Sequence, residues 1–164
     1  MTESHSPFAI RHLPLTGLRI LAIEQYGAGP YGSMRRADLG AEVIKIEAPP
    51  GGDVSRATGP WFLGEGDSQF FQTFNLNKRS LRLDLKDPRG REVFERLVAR
   101  ADALVENFRP GVMTRLGLDA ERLRSMKPAL VVCAISGFGQ TGPLAQRPAY
   151  DQIVQGYAGV MSVT

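Results

Sequence analysis

Short apolar runs alternate along this sequence with longer segments in which apolar residues recur every three or four positions. The runs predict β-strands, and the periodic segments predict α-helices. Strands are predicted at 19–23, 42–46, 80–85, 103–106 and 130–135, and helices at 31–39, 88–101 and 120–127. This alternation is typical of an α/β fold, here a Rossmann-like, mostly parallel sheet flanked by helices.

Proline, glycine and aspartate mark the predicted element ends. Pro30 is predicted at the first position of a helix that Gly40 ends, and Asp87 is predicted to cap the helix that begins at Pro88. The run 130–135 is apolar throughout, as a parallel strand covered on both faces would be. Its cysteine, Cys133, is therefore predicted to be a buried small hydrophobic residue.

Three segments carry no periodicity. Residues 1–14 are predicted to be a flexible leader, and 15–164 to form one domain. Residues 48–68 are rich in proline and glycine and are predicted to be a long irregular loop. No closing element is predicted at the end of the chain.

The composition excludes several classes of site and location. The 164 residues include one cysteine and two histidines, His5 and His12, both in the leader. A disulfide framework, a cysteine zinc site and a histidine-centred triad or metal cluster in the body are therefore excluded. No apolar run approaches the roughly 18 residues that span a membrane, and no secretory signal is present. We expect a soluble cytoplasmic protein with no membrane partner and no bound metal.

The positive charge of the chain is local. The formal net charge is +3, and residues 78–100 hold eight basic and four acidic side chains. A small basic region suits a phosphorylated small molecule better than a nucleic acid, which usually meets a broad basic stripe. The alternative is an ordinary solvated helix face.

Residues 27–32 (GAGPYG) form a literal G-x-G-x-x-G between a predicted strand and helix, and Glu47 follows at the distance of a ribose-binding acid. In a dinucleotide site the first glycine must turn directly off the strand. Here Glu24, Gln25 and Tyr26 intervene, and extending the strand through them would bury a glutamate at a cost of several kcal/mol. These residues argue against a nicotinamide or flavin nucleotide site.

Five ordered segments resemble the family III CoA-transferases (the CaiB/BaiF family, which includes formyl-CoA transferase). The segments are 15–50, 75–88 (NLNKRSLRLDLKDP), 101–118 (ADALVENFRPGVMTRLGL), 136–143 (SGFGQTGP) and 149–155 (AYDQIVQ). The resemblance implies a Rossmann-like large domain, a second smaller domain and an interlocked homodimer. It implies no nucleic-acid partner.

The resemblance also implies a reaction. Coenzyme A passes from an acyl-CoA to a small carboxylic acid, through a mixed anhydride on an aspartate carboxylate. The family's nucleophilic aspartate lies beyond the block that contains Asp151, past Thr164. The chain is therefore expected to be the N-terminal part of a transferase, without a catalytic nucleophile and inactive alone. Acyl-CoA is a substrate in this family, and no permanently bound cofactor is implied.

The family's CoA-binding positions can be carried over onto matching segments. The implied residues are Gly27, Ala28, Leu83, Asp84, Leu85, Lys86, Asn107, Phe108, Arg109, Arg115, Arg147 and Tyr150. Four of them have a plainer alternative: Phe108 could be core, Asn107 a turn cap, and Lys86 and Arg115 solvated surface charges. Formyl-CoA transferase has an arginine where Ala48 stands here, so either Arg56 substitutes for it or phosphate binding is weaker.

Two other functions remain open. The related α-methylacyl-CoA racemases share the fold but place a histidine in the segment that is Ala149–Asp151 here, where this chain has Tyr150. A phenol is a poor substitute for an imidazole in proton transfer near neutral pH. A CoA-binding fragment without activity is the third possibility.

Overall fold

The structure, a computed structural model, describes residues 13–164 and is built on a five-stranded parallel sheet. The strands are β1 (Arg19–Ile23), β2 (Glu42–Glu47), β5 (Lys78–Arg82), β6 (Ala103–Glu106) and β7 (Val131–Ala134), and β3 (Phe62–Gly64) and β4 (Asp67–Ser68) form a separate antiparallel hairpin. The helices are α1 (Ala28–Asp38), α2 (Gln69–Asn75), α3 (Pro88–Val98), α4 (Val112–Arg115), α5 (Ala120–Met126) and α6 (Asp151–Tyr157). The fold is therefore α/β.

The strand order explains where a ligand site is expected. The order across the sheet is β5-β2-β1-β6-β7, and every neighbouring pair is parallel. The chain order reverses between β1 and β6, which pair with Leu21 opposite Leu104. Ligands of open parallel sheets bind beside the carboxyl ends of the strands at such a reversal.

The two faces of the sheet differ in character. The face covered by α3 and α5 (the α3 face) holds the main apolar core, formed by Leu21, Ile23, Ile46, Leu85, Phe94, Val98, Ala101, Leu104, Leu118, Leu123 and Leu130. The opposite face, covered by α1 and α2 (the α1 face), has a smaller apolar cluster of Ile20, Ala22, Ala37, Ala41, Val43 and Val105. Side chains alternate between faces along a strand. Toward the carboxyl ends of the strands, the side chains that point to the α1 face are therefore Glu24 after Ala22, and Lys45 and Glu47 after Val43. All three are buried.

Several predicted elements are confirmed, and others shift. Strands β1 and β6 have the predicted bounds, and Asp87 caps α3 by accepting a hydrogen bond from the Arg89 amide at 2.8 Å. Helix α1 begins at Ala28, so Pro30 is its third residue. Proline is tolerated there because the amides of the first turn need no partner within the helix. Strand β5 spans Lys78–Arg82 instead of 80–85.

The predicted strand at 130–135 is confirmed as β7, but the prediction that it is covered on both faces was wrong. The strand lies at the edge of the sheet, and Val131 is 63 % exposed. Cys133 is exposed as well, so it is not a buried hydrophobic residue. An apolar run shows that a strand is compatible with burial, but it does not show that neighbouring segments cover it.

The segments without periodicity contain more structure than predicted. The loop 48–68 includes a 3₁₀ turn (Val54–Ala57) and the β3–β4 hairpin, and α2 follows it directly. The end of the chain does have closing elements, α6 and a 3₁₀ turn at Val160–Ser162. Most of the predicted leader, residues 1–12, lies outside the described residues. The proposed domain boundary stays a prediction.

None of the helices in residues 13–164 is long and apolar enough to cross a membrane.

Candidate functional site

A cleft of about 250 Å³ opens at the carboxyl ends of the parallel strands. Its walls are Ile23, Glu24, Gln25, Ile46, Glu47, Ala48, Gly52, Asp53, Leu83, Asp84, Leu85, Lys86, Phe108, Val112 and Leu116. Five of the twelve predicted CoA-binding residues line this cleft together: Leu83, Asp84, Leu85, Lys86 and Phe108. They come from the loops that follow β5 and β6.

The loop after β5 is held against the sheet and against α3. The Leu83 amide donates to the Glu47 carbonyl at 2.9 Å, and the Asp84 carboxylate accepts from the Lys86 amide at 2.8 Å. Helix α3 approaches this loop closely at Gly90, where an added Cβ would lie 1.9 Å from the Asp84 carbonyl oxygen. Only glycine allows this approach. Leu83 and Lys86 are therefore fixed on the cleft wall by backbone contacts on both sides.

The loop after β6 forms the opposite wall. The buried Glu106 carboxylate accepts a hydrogen bond from the Phe108 amide at 2.8 Å. Burial raises the pKa of Glu106, and the Phe108 amide partly offsets this. The half-buried Phe108 ring packs against the main apolar core, so it serves as core and cleft wall together. Gly111, with φ +84, then turns the chain into α4.

Asn107 connects this wall to the loop after β1. Its side-chain oxygen accepts from the Gln25 amide and its side-chain nitrogen donates to the Gln25 carbonyl, both at 2.8 Å. Helix α1 packs closely here, because an added Cβ on Gly29 would lie 2.9 Å from Asn107 Cγ. The Asn107 amide is thus engaged in fixing Gln25, which lines the cleft.

The other predicted residues do not line the cleft. Gly27 caps α1 and Ala28 begins it, beside the Gln25 loop. Arg115 is exposed on α4, whose Val112 lines the cleft, and Arg109 is exposed on the loop before α4. The remaining two lie at α6: Arg147 donates to the Tyr157 hydroxyl at 2.7 Å, and Tyr150 precedes the helix and is 68 % exposed.

A network of buried charges adjoins the cleft on the α1 face, and the sequence analysis missed it. Three of its members, Glu24, Glu47 and Asp53, also line the cleft. It contains three acids and three bases, namely Glu24, Glu47, Asp53, Lys45, Arg56 and Lys78. The signal was present in the alternation of Lys45 and Glu47 within β2, where every second residue faces the same side. Glu24, which we expected not to be buried, is 2 % exposed and bonds to Ser33 at 2.5 Å.

Lysines neutralise the first half of the network. Lys78 Nζ lies 2.9 Å from Glu24 Oε1 and also donates to the Pro30 carbonyl and to Asn75. Lys45 Nζ lies 2.7 Å from Asp53 Oδ2. Burial lowers the pKa of Lys78 to about 8, although Glu24 beside it favours the charged form. Lys78 is therefore not part of a solvated basic face.

The second half of the network is an ion pair between Arg56 and Glu47. Arg56 donates to Glu47 through Nε at 2.7 Å and Nη2 at 2.8 Å, and it stacks 3.7 Å from the Phe71 ring centre. Burial alone would raise the pKa of Glu47, but hydrogen bonds from Arg56, Ser80 and the Asp53 amide outweigh it and lower the pKa to about 2. Glu47 is thus occupied where a ribose-binding acid would need to be free. Arg56 is equally engaged, which argues against its substitution for the family's arginine at Ala48.

The arrangement suits an elongated ligand with apolar and anionic parts. The cleft is walled mainly by aliphatic side chains and Phe108, and Lys86 is an exposed cation on its wall. Within residues 13–164, no group of histidine, cysteine, aspartate or glutamate side chains is placed to hold a metal ion. The acids that also line the cleft all have partners: Glu24, Glu47 and Asp53 pair with the buried cations, and Asp84 accepts from the Lys86 amide.

Comparison with known proteins gives one consistent family. The sequence profile of CoA-transferase family III matches residues 15–164. The chain is 45 % identical over 159 residues to the succinate–glutarate CoA-transferase of Agrobacterium fabrum, covering 94 % of this chain and 40 % of that protein. It is 47 % identical over 151 residues to the acetyl-CoA:oxalate CoA-transferase of Acetobacter aceti, covering 92 % and 38 %.

Solved structures agree with this result. A CaiB/BaiF family protein from Brucella suis superposes with a TM-score of 0.88 at 42 % identity, over 93 % of this chain and 41 % of that chain. The chain thus spans about 40 % of the length of these relatives.

Proposed function

The chain belongs to CoA-transferase family III, and from that premise we propose that it forms the CoA-binding part of an enzyme that moves coenzyme A from an acyl-CoA to a carboxylic acid. The observation that carries the proposal is the cleft, which brings Leu83–Lys86 and Phe108 together from two separate loops. Five of the twelve residues that the family resemblance implies line this cleft, which supports the proposal.

In this proposal the cleft residues bind and the chemistry occurs beside them. Leu83, Leu85 and Phe108 pack against the apolar parts of the CoA chain and its adenine ring. Lys86, and Arg115 on the neighbouring helix, pair with phosphates. Asn107 acts through Gln25, whose backbone it holds. Asp84 is part of the cleft wall and holds the Lys86 amide. The remaining predicted residues, Gly27, Ala28, Arg109, Arg147 and Tyr150, are proposed to line the approach to the site.

The proposed reaction is covalent catalysis by a carboxylate. An aspartate oxygen attacks the thioester carbon, the carbon–sulfur bond breaks, and CoA leaves as a thiolate while the acyl group stays on the enzyme as a mixed anhydride. Later exchange steps release the donor acyl group as a carboxylate, which takes an aspartate oxygen with it. The CoA sulfur then bonds to the acyl carbon of the acceptor acid, and the oxygen that the acceptor loses restores the aspartate carboxylate. None of the aspartates in residues 13–164 is assigned the attacking role. We therefore propose that the 164-residue chain alone binds CoA without transferring it.

The acid substrate proposed is a short dicarboxylic acid. Relatives are named for succinate, glutarate and oxalate. A homodimer is proposed as the working assembly from the family resemblance. An assay of the complete gene product with succinyl-CoA tests the substrate proposal. Glutarate and oxalate are expected to accept CoA and the monocarboxylate acetate is not, and the reverse preference would overturn it.

Substitution of two cationic side chains, Lys86 and Arg115, tests the proposal that the cleft binds CoA. We predict that Lys86→Ala and Arg115→Ala each weaken CoA binding by 10- to 100-fold, since a charge-assisted hydrogen bond contributes roughly 1.5–3 kcal/mol. Calorimetric titration of the complete gene product with CoA measures this, and the loss should be larger at low salt.

Arg124→Ala is the matched control, because Arg124 is also an exposed arginine in the last turn of a short helix but lies on α5. It is expected to keep the parental affinity. If all three variants bind CoA equally, Lys86 and Arg115 are ordinary surface charges. If the parental protein does not bind CoA at all, the proposed function is wrong.

A further inference from the structure

The loop between β1 and α1 is held by side chains from three other segments. Tyr26 has φ +68, in the left-handed region that a tyrosine rarely adopts. Asn107 holds Gln25 on one side, as described above. On the other side Lys45 Nζ donates to the Glu24 carbonyl at 3.1 Å, and Asp53 Oδ1 accepts from the Tyr26 amide at 3.1 Å. The backbone on both sides of Gln25 is therefore fixed by the pair Lys45 and Asp53.

Asp53 fixes its own loop at the same time. Its carboxylate accepts from the amide of Ser55 at 2.8 Å and from the Ser55 hydroxyl at 2.7 Å, and its amide donates to Glu47 at 2.8 Å. The side chain has no exposed surface, and that of Lys45 is 1 % exposed. One carboxylate thus bonds to the loop after β1, the loop after β2 and strand β2.

The hydrogen bonds of Lys45 and Asp53 connect loops on two walls of the cleft. Gln25 lies on one wall and Gly52 on another, and both adjoin residues that the Lys45–Asp53 pair holds. Gly52 has φ +75, and an added Cβ would lie 2.5 Å from Glu47 Oε2, so this loop fits closely on the buried network. A buried ion pair often stabilises a fold less than apolar residues of similar volume would, because both charges lose their hydration. The Lys45–Asp53 pair therefore matters here for the positions in which it holds two loops.

We propose that Asp53 and Lys45 are positioning residues that hold the loops after β1 and β2 in the shape that binds CoA. The inference rests on the proposed function for its ligand, and on the described contacts for the loops. Neither residue was among the predicted CoA-binding positions.

The test is Asp53→Asn in the complete gene product. Asparagine can still accept from the Tyr26 and Ser55 amides, but it removes the carboxylate charge that lies 2.7 Å from Lys45 Nζ. Lys45 then keeps only the more distant Glu24 carboxylate, at 3.8 Å. We expect the Kd for CoA to rise at least tenfold, and KM for the acyl-CoA to rise with it while kcat changes less than twofold. Hydrogen exchange should quicken at the amides of Tyr26 and residues 51–58, whereas amides in β1 and β6 keep their protection.

Asp119→Asn is the matched control. Asp119 caps α5 by accepting from the Arg122 amide at 3.0 Å, and it does not line the cleft. The Asp119→Asn variant should keep the parental CoA affinity and the parental hydrogen-exchange rates in both loops. The double variant Lys45→Met with Asp53→Asn removes both charges, so it avoids an unpaired buried lysine if the single variant does not fold. It is expected to fold and still bind CoA at least fivefold more weakly than the parental protein.

Two results would overturn the inference. The first is CoA affinity within twofold of parental in a folded Asp53→Asn or double variant, with both loops still protected. The second is faster exchange throughout the sheet, which would assign the pair to global stability. If the parental protein fails to bind CoA, the proposed function fails, while the exchange measurements still decide whether the pair holds the loops.

Discussion

Glu47 shows how one buried residue can both stabilise the sheet and limit what the site binds. Its side chain is 1 % exposed and receives hydrogen bonds from Arg56, Ser80 and the Asp53 amide. These donors lower its pKa from 4.5 to about 2. A carboxylate with a lowered pKa stabilises the folded protein above its unfolded pKa, and that contribution is lost as the pH falls toward the folded pKa.

The lowered pKa of Glu47 predicts how the stability of a Glu47→Gln variant, relative to the parental protein, depends on pH. We predict that the parental protein loses about 3 kcal/mol of unfolding free energy between pH 4.5 and pH 2 through this group. Glutamine cannot titrate, so the difference between parental and variant stability should be largest above pH 4.5 and should shrink across that window. Urea unfolding at a series of pH values measures both curves.

Glu65→Gln serves as the control for that experiment, because Glu65 is exposed in the β3–β4 hairpin. Its stability curve should run parallel to the parental curve. A parental-minus-Glu47→Gln difference that stays constant from pH 7 to pH 2 would contradict the prediction.

Single residues were the hardest features to predict from sequence. Lys45 and Glu47 lay in a correctly predicted strand, but the pattern alone could not say that both would be buried. That depends on Asp53 and Arg56, which come from a loop with no periodicity. Leu83 and Phe108 were named only through the family resemblance. Asn107 was named as well, but its bonds to Gln25 depend on a contact 82 residues away in sequence.

At the scale of elements, helix α3 controls one wall of the cleft through its first turn. Asp87 caps the helix, Pro88 begins it, and Gly90 brings it against the loop that carries Lys86. The cap and the proline were predictable because each satisfies a local requirement of a helix start. The close approach at Gly90 was not, since the sequence gives no sign that the Asp84 carbonyl packs there.

Gly90→Ala tests this approach. An alanine normally stabilises a helix by about 1 kcal/mol relative to glycine. Here its Cβ would lie 1.9 Å from the Asp84 carbonyl oxygen, and that backbone atom cannot move without the loop. We therefore predict destabilisation by about 2–3 kcal/mol, typical of overpacking, with weaker CoA binding. Urea unfolding and CoA titration measure the two effects.

Gly32→Ala is the matched control, because Gly32 is also helical but an added Cβ would meet nothing closer than Arg36 Nη1 at 3.7 Å. It should be neutral or stabilising. Equal stability of the two variants would show that α3 can move away from the loop at little cost.

At the scale of the whole molecule, the parallel sheet separates two tasks. Its α3 face carries the apolar core, and its α1 face carries the buried charges that hold the loops. The cleft lies at the carboxyl ends of the strands and is lined from both faces. The five strands of the sheet and helices α1, α3 and α5 were predictable from hydrophobic periodicity, whereas α2, α4, α6 and the β3–β4 hairpin were not predicted. The exposure of strand β7 was not predictable, because the apolar pattern could not distinguish this edge strand, with its exposed Val131 and Cys133, from a central strand.

The last prediction concerns the reaction of the complete protein. Exchange of the proton next to a thioester needs a base and an acid near neutral pH, for which imidazole is well suited. Both histidines of this chain precede Leu13, and the segment where the related racemases place a histidine has Tyr150 instead. Tyr150 is 68 % exposed before α6, and the cleft wall does not include it. A phenol is a poor substitute for an imidazole in this proton transfer. We therefore predict that the complete gene product, incubated with a 2-methylacyl-CoA in D₂O, transfers CoA to an added acid without deuterium entering the α-position. Tyr150→His should not create exchange unless the histidine reaches the thioester. Deuterium incorporation by the parental protein at the rate of CoA transfer, followed by mass spectrometry, would assign it to the racemases instead.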